Sequence, residues 1–164
     1  KGWLYEGGIR VPFIVKFPEN ELAGSTLPTP VAGIDIPPTI AAFANSTMTN
    51  ISGVDGVNMQ SIWQTEAAPE RPLFWHYPHY ANQGGNPGSV IRLGQYKLIH
   101  DFETGALELY DLSEDISETN DLSDELPDVR DRLYQLLEEW RNNNDVAMMT
   151  TPNPDWNSEE PVVE

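Results

Sequence analysis

The sequence predicts an α/β chain, of the α+β kind in which strand-rich and helical segments are set apart along the chain. Three observations predict this class. The mostly apolar run Val11–Phe17, closed by Pro18, is typical of a strand buried on both faces. Three β-prone segments separated by short turns lie between residues 89 and 112, as in an antiparallel meander. Pro127–Asn143 carries apolar side chains at helical spacing and predicts an amphipathic helix.

The first domain is assigned to residues 1–64. Asp35 followed by Pro37-Pro38 predicts the start of a helix, with the aspartate as its cap and the prolines in its first turn. The pair Gly7-Gly8 precedes the predicted strand. It permits either a tight turn or a close approach of the backbone to a ligand.

The second domain is assigned to residues 72–143, which follow the polar linker Thr65–Arg71. A first strand and the three strands of the meander are predicted here, and the amphipathic helix is expected to pack on them. The strands are Pro72–Tyr77, Ser89–Leu93, Tyr96–Phe102 and Ala106–Leu112. Residues 144–164 are assigned to an acidic tail that contains proline, and Thr151–Glu164 is expected to be extended or disordered.

The charge of the chain excludes one class of partner. The 164 residues have a formal net charge of −17, and residues 111–164 hold 16 acidic against 3 basic side chains. Nucleic acid is not expected as a partner, because contact with phosphates needs basic patches. No apolar run is long enough to span a membrane, so a membrane is not expected as a partner either.

The opening residues carry the most specific motif. They read Lys1-Gly2-Trp3-Leu4-Tyr5-Glu6-Gly7-Gly8-Ile9-Arg10-Val11-Pro12. They resemble the segment K-G-x-L-Y-E-G-G-x-R-V-P of type I sulfatases, the formylglycine-dependent enzymes of the alkaline phosphatase superfamily. Later stretches, which begin at Phe74, Ser89, Leu109 and Glu118, resemble the C-terminal subdomain of these enzymes in the same order. The chain is therefore similar to the C-terminal portion of an arylsulfatase or sulfated-carbohydrate sulfatase.

The resemblance implies a fold and one catalytic position. The predicted strand and first helix would form the edge of a large alkaline-phosphatase-like sheet, and the meander with its helix would form a small subdomain. Lys1 matches the family's lysine that binds the sulfate ester. An ammonium group there stabilises the negative charge that gathers on the sulfate during cleavage. Glu6 and Arg10 are expected to anchor the turn that follows, as an ion pair.

The resemblance also implies two groups that the chain does not supply. The family makes its formylglycine from a Cys or Ser in C-x-P-x-R or S-x-P-x-R, whereas this chain has no cysteine and no serine followed by x-Pro-x-Arg. The parent enzyme is expected to use a divalent cation, calcium. The family's calcium ligands match no residue here, so no metal ligand is assigned. The chain alone is therefore expected to be inactive, because it lacks the nucleophile.

Three further residues are candidates for binding the substrate. His76 and His79 flank Pro78 at the end of a predicted strand, where imidazole can donate to sugar hydroxyls or pair with sulfate. A structural role is equally open for each histidine, and His100 is treated as an ordinary histidine. Arg92 can meet a carbohydrate anion, and it can equally cap the edge of the sheet.

Two functions remain open at this point. In the first, the chain is part of a periplasmic or secreted sulfatase whose partner is a sulfated carbohydrate or an aryl sulfate. In the second, it is a non-catalytic carbohydrate-binding or structural module. Self-association through the exposed N-terminal strand is expected in either case, because an unpaired apolar edge attracts another chain.

Overall fold

The computed structural model describes residues 2–46, 55–65 and 70–150 of the chain. Contacts within the chain divide it into two compact units. One unit consists of residues 1–11 and 74–164, and the other consists of residues 12–73. The opening residues, which the sequence groups with the first domain, thus pack with the later part of the chain.

A four-stranded sheet is the centre of the first unit. Its strands are β1 (Leu73–Tyr77), β2 (Gly88–Leu93), β3 (Tyr96–Asp101) and β4 (Leu107–Asp111), in the spatial order β1-β2-β3-β4. Strand β3 pairs antiparallel with β2 and with β4. This arrangement confirms the predicted meander, because each predicted strand overlaps an observed one.

Helix α4 (Pro127–Asn143) covers one face of this sheet, with the bounds that the sequence predicts. Pro127 and the acidic Asp128 suit the first turn, and Arg141 suits the last turn, where a cation interacts favourably with the helix dipole. The buried residues of this layer are Ile91, Leu98, Leu109, Leu133 and Leu137. Burial of each such aliphatic side chain contributes roughly 1.5–3 kcal/mol.

The opposite face of the sheet is covered by the beginning of the chain. Its buried residues are Val90, Ile99, Tyr110 and Leu112, against which Leu4, Tyr5 and Trp75 pack. The short helix α1 (Glu6–Ile9) follows directly. Since both faces are covered, the successive residues Lys97, Leu98 and Ile99 of β3 are all buried.

The second unit is helical in its described part. It contains short 3-10 helices at Pro18–Asn20 and Gly33–Asp35, followed by α2 (Ile36–Phe43) and α3 (Gln60–Thr65). Asp35 stands at the N-cap position of α2, as predicted, but its side chain makes no capping hydrogen bond to the helix. Its fully buried carboxylate instead accepts hydrogen bonds from the backbone N–H groups of Ala32 (2.8 Å) and Val57 (2.9 Å) and pairs with Arg71. The aspartate thus ties the loops around α2 together.

The predicted strand over Val11–Phe17 does not form. These residues are extended without a ladder, and Val11, Phe13, Ile14 and Val15 are exposed. A buried parallel strand requires hydrogen-bonded neighbours on its edges, and the described residues place none beside this segment. Among the described residues, no helix has both the length and the apolar character needed to cross a membrane.

Candidate functional site

The structure places three of the four sequence-predicted site residues, all in the first unit. Lys1 lies outside the described residues. His76 is in β1, His79 follows β1, and Arg92 is in β2. Each of the three contacts a different set of partners.

His76 uses both of its ring nitrogens within the chain. Nδ1 lies 2.6 Å from Oγ of the fully buried Ser89, and Nε2 lies 2.8 Å from the carbonyl oxygen of Ala147. The carbonyl can only accept, so Nε2 carries the proton and donates. The imidazole therefore connects β1 to β2 and to the segment after α4, and in this position it has no free nitrogen for a ligand.

His79 has the opposite environment. Its side chain is exposed, and its ring makes an edge-on contact with Tyr77 at 5.4 Å between centroids. It lies just after β1 and two residues before the loop Ala81–Gly88. This location agrees with the predicted position at the end of a strand. An exposed imidazole held by one aromatic contact remains available to donate to a hydroxyl or an anion.

Arg92 belongs to a group of charges on the sheet face that the opening residues cover. In the register of the sheet, Arg92 is directly opposite Lys97. Lys97 Nζ lies 3.1 Å from Glu6 Oε1 and 2.7 Å from Glu118 Oε1, while Arg92 Nη1 is 4.0 Å from Glu6 Oε2. Burial lowers the pKa of Arg92 from its ordinary value, partly opposed by the charge of Glu6. We call Glu6, Arg92, Lys97 and Glu118 the buried charge cluster.

The expected Glu6–Arg10 ion pair is replaced by this cluster. Glu6 points into the sheet and pairs with Lys97, whereas Arg10 is exposed. The reason is geometric, because α1 has a single turn and its inward face meets two cations of the sheet. The anchoring role predicted for Glu6 therefore holds, with a different partner.

Further contacts hold the segment that follows Lys1. The indole Nε1 of Trp3 donates to the carbonyl oxygen of Gln83 at 3.0 Å. Tyr5 donates its hydroxyl to Glu108 at 2.7 Å, and Tyr110 donates to the same carboxylate oxygen at 2.8 Å. Burial and the adjacent carboxylate raise the pKa of Tyr5 and of Tyr110 above the ordinary value of a tyrosine, so both hydroxyls remain donors.

Of the glycine pair, Gly8 is the residue that the fold requires. A Cβ atom on this residue would lie 1.9 Å from the carbonyl oxygen of Trp3, whereas a Cβ on Gly7 would meet nothing within 4 Å. Of the two interpretations that the sequence left open, Gly8 therefore supports a tight approach of the chain to itself.

Sequence reasoning did not identify Lys97, Glu118 and Glu108. A signal was present in the first of these, since Lys97 interrupts the apolar run Tyr96–Ile99 in the middle of a strand. A lysine at a central strand position is rarely buried without an acidic partner. The identity of its partners depends on residues 91 and 21 positions away along the chain, so local patterns could not supply it.

Comparison with known proteins assigns the family. The family described as "N-sulphoglucosamine sulphohydrolase, C-terminal" matches residues 1–143. The chain belongs to this family. The resemblance to the C-terminal portion of a sulfatase is thereby confirmed, and it extends over both units.

Individual relatives agree with this assignment. A sulfatase of Formosa agariphila is 36% identical over 138 residues, which cover 77% of this chain and 25% of the relative. An N-acetylglucosamine-6-O-sulfatase of Bacteroides thetaiotaomicron is 29% identical over 147 residues, covering 85% of this chain and 26% of the relative. The chain thus spans about a quarter of the length of these relatives.

A solved structure shows the same fold. It is a protein in complex with its substrate D-glucosamine-2-N,6-O-disulfate, and its identity to this chain is 26%. The TM-score is 0.59, and the match covers 72% of this chain and 25% of that protein. The predicted fold class, a part of an alkaline-phosphatase-like fold with a small antiparallel sheet packed on a helix, is confirmed.

The described residues do not fit a metal site. Within residues 2–46, 55–65 and 70–150, no group of three or more His, Asp or Glu side chains is placed to hold a cation. Asp111, an acidic residue in a turn, accepts hydrogen bonds from Ser113 and Gln95 close to it. No chemical step is therefore assigned to a metal held by this part of the chain.

Proposed function

We propose that this chain is the C-terminal part of a sulfatase that hydrolyses sulfate esters of a carbohydrate. The single observation that carries the proposal is the family match over residues 1–143, which includes the opening motif. The carbohydrate class is supported by a relative described as an N-acetylglucosamine-6-O-sulfatase and by the sulfated glucosamine bound in the similar solved structure. The parent would act in the periplasm or outside the cell.

In this proposal the chain's own residues bind and orient the sulfate ester. Lys1 donates hydrogen bonds to the sulfate oxygens and stabilises the charge that develops as the ester bond breaks. His79, exposed beside the loop Ala81–Gly88, donates to a sugar hydroxyl or to a sulfate oxygen. The nucleophilic formylglycine and a calcium ion would supply covalent catalysis and charge stabilisation from other parts of the parent.

A second function is favoured by a different observation. The chain contains no cysteine, and no serine in it is followed by x-Pro-x-Arg. A polypeptide without a source of the formylglycine could still bind a carbohydrate or serve as a structural module. The exposed His79 and the half-buried Arg92 would then be binding groups only.

The experiment compares variants of the full-length parent on a sulfated monosaccharide. Lys1→Ala is expected to lower kcat/KM by about 100- to 1,000-fold, the range typical for loss of one group that stabilises transition-state charge. His79→Ala is expected to lower it by about 10- to 100-fold without a change in melting temperature. Lys16→Ala is the matched control, because Lys16 is an exposed lysine outside the motif.

Two results would contradict this proposal. Turnover by the isolated 164-residue chain, with contaminating sulfatases excluded, would refute the dependence on a nucleophile from elsewhere. Equal kinetics of Lys1→Ala and Lys16→Ala would refute the sulfate-binding role of Lys1. If binding of the sugar persists in a parent with no turnover, the non-catalytic module is the correct function.

A further inference from the structure

The buried charge cluster is costly in isolation. The Lys97 side chain is 0% exposed, and the side chains of Glu6 and Glu118 are 8% and 3% exposed. Two cations, Arg92 and Lys97, stand directly opposite each other on neighbouring strands, an arrangement that is unfavourable without anions between them. Replacing such a group with packed apolar residues is often neutral or stabilising. Stability alone therefore gives no reason for the cluster.

Glu118 carries an additional cost in its backbone. Its φ angle is 53°, in the left-handed region, which is strained for a residue other than glycine. In this conformation Glu118 Oε2 accepts a hydrogen bond from the backbone N–H of Glu6 at 2.5 Å, while its Oε1 faces Lys97. The strained residue thus holds both the main chain of α1 and the charge beneath it.

The cluster meets the chain five residues after Lys1. Between Lys1 and Glu6, the side chains of Trp3 and Tyr5 are fixed by Gln83 and Glu108. Residues 2–6 are therefore held by several contacts. These are the ion pair of Glu6, the hydrogen bond of its backbone N–H group, and the side-chain hydrogen bonds of Trp3 and Tyr5. Each of these contacts links the segment to residues of the sheet or its loops.

We infer that Glu6, Lys97 and Glu118 are positioning residues, which fix the segment after Lys1 on the C-terminal sheet and thereby set the position of the sulfate-binding ammonium. The inference rests on the role proposed above for Lys1. It gives the C-terminal sheet a function in the reaction, namely to provide a rigid base for one catalytic group. A misplacement of about 1 Å at such a group can lower the rate roughly 100-fold.

The test uses the full-length parent and the variant Glu118→Gln. Glutamine keeps the size of the side chain, but it removes the charge that faces Lys97 and weakens the charge-assisted hydrogen bond from the Glu6 N–H. We expect kcat/KM to fall roughly 10- to 100-fold in the native background. In the Lys1→Ala background the same substitution should change kcat/KM by less than about threefold, because there is no ammonium left to misplace.

Two further variants complete the set. Glu114→Gln is the matched control, an exposed glutamate in the same connection between β4 and α4. Tyr5→Phe removes only the hydrogen bond to Glu108 from the same segment, and it should lower kcat/KM in the same direction by a smaller factor. This milder variant keeps the test possible if Glu118→Gln does not fold.

Amide hydrogen exchange separates the two proposals. In Glu118→Gln we expect faster exchange at Glu6, Gly8 and Ile9, whose N–H groups bond within this segment or to Glu118. Unchanged protection would overturn the inference, whatever Lys1 does. Faster exchange with equal rate losses in both backgrounds would also overturn it, since the segment would then act independently of Lys1. No effect of Lys1→Ala alone would refute the sulfate-binding role and, with it, positioning through that residue.

Discussion

The first seventeen residues fall into two halves, residues 2–9 and residues 12–17, with opposite environments. Residues 2–9 lie on the sheet of the first unit, where Glu6 is buried and Trp3 and Tyr5 have hydrogen-bonded side chains. Residues 12–17 belong to the second unit and form no strand. There Ile14 is 89% exposed. The sheet thus packs against the first half of this stretch, whereas apolar side chains of the second half stay exposed.

The apolar character of the second half continues into a groove of its own unit. A cavity of about 420 Å³ is bordered by Phe13, residues 15–18, part of α2, Met59 and Trp63. Phe17, Phe43 and Trp63 pack together at centroid distances of 5.0–6.1 Å, but Phe43 and Ile40 remain exposed. Contiguous exposed apolar surface of this kind is typical of interaction sites. The first half of the stretch therefore packs on the sheet, and the second half contributes to an apolar groove.

The strongest test of the first half is the substitution Gly8→Ala. The added methyl group would collide with the backbone of Trp3, so we expect a loss of about 1–3 kcal/mol in the free energy of unfolding. Gly7→Ala is the matched control in the same helix, because a Cβ there meets open space. Alanine favours helix over glycine, so this control should gain up to about 1 kcal/mol. Urea unfolding of both variants measures the difference.

An equal loss of stability in the two variants would contradict this explanation. If Gly7→Ala destabilises the protein as much as Gly8→Ala, the glycine pair is required for its flexibility and the close approach to Trp3 is not what selects it.

From the exposed apolar side chains of the second half, we expect the chain to self-associate at micromolar concentration. This association would not need a preformed strand. Ile14→Ser should weaken this association about tenfold, because each copy would lose most of the apolar area of one side chain. Folding should change by less than about 0.5 kcal/mol, since the residue is exposed. Sedimentation velocity across a concentration series measures the effect, with the exposed Glu21→Ser as control. A monodisperse monomer in the unmodified chain would contradict the prediction.

Local patterns were sufficient for the sheet and its helix. β-prone segments and turn residues predicted the meander, and the apolar stripe with Pro127 predicted both ends of α4. The strands of the meander pair with neighbours close in sequence, and the apolar stripe of α4 is visible within the helix itself, so these signals are local. The family motif by itself was enough to group Lys1 and Glu6 in one segment.

The errors arose where distant residues decide the outcome. Val11–Phe17 has the composition of a buried strand, but a strand also needs hydrogen-bonded neighbours, which composition does not supply. Asp35 occupies the predicted cap position of α2, but its carboxylate bonds to Val57 and Arg71 and not to the helix. The partners of Lys97 were unpredictable for the same reason. From a single sequence, the burial of a charged residue is easier to predict than the identity of its partners.

The smallest expected effect is on the pH dependence of stability. It concerns the face of the sheet that α4 covers, where one polar contact lies beside the apolar layer. His100 in β3 accepts a hydrogen bond at Nδ1 from the Arg141 guanidinium at 3.1 Å, and Tyr134 packs edge-on against its ring at 5.2 Å. The groups around it are Arg141, Glu138, Asp101 and the ring of Phe102. No motif surrounds this histidine in the sequence. The guanidinium can only donate, so the contact requires an unprotonated Nδ1.

Burial and the adjacent charge of Arg141 lower the pKa of His100 below its ordinary value of 6.5, against smaller opposing effects of Glu138 and Asp101. The unfolded chain therefore binds a proton at higher pH than the folded chain does. Stability from this residue is complete above about pH 6.5 and falls as the pH decreases from there through the folded-state pKa. We expect urea midpoints measured between about pH 8 and pH 5 to decrease on acidification. His100→Gln, which cannot titrate, should flatten part of this decrease, whereas the exposed His79→Gln should preserve it. An unchanged pH profile in His100→Gln would show that protonation at this face of the sheet is not coupled to folding.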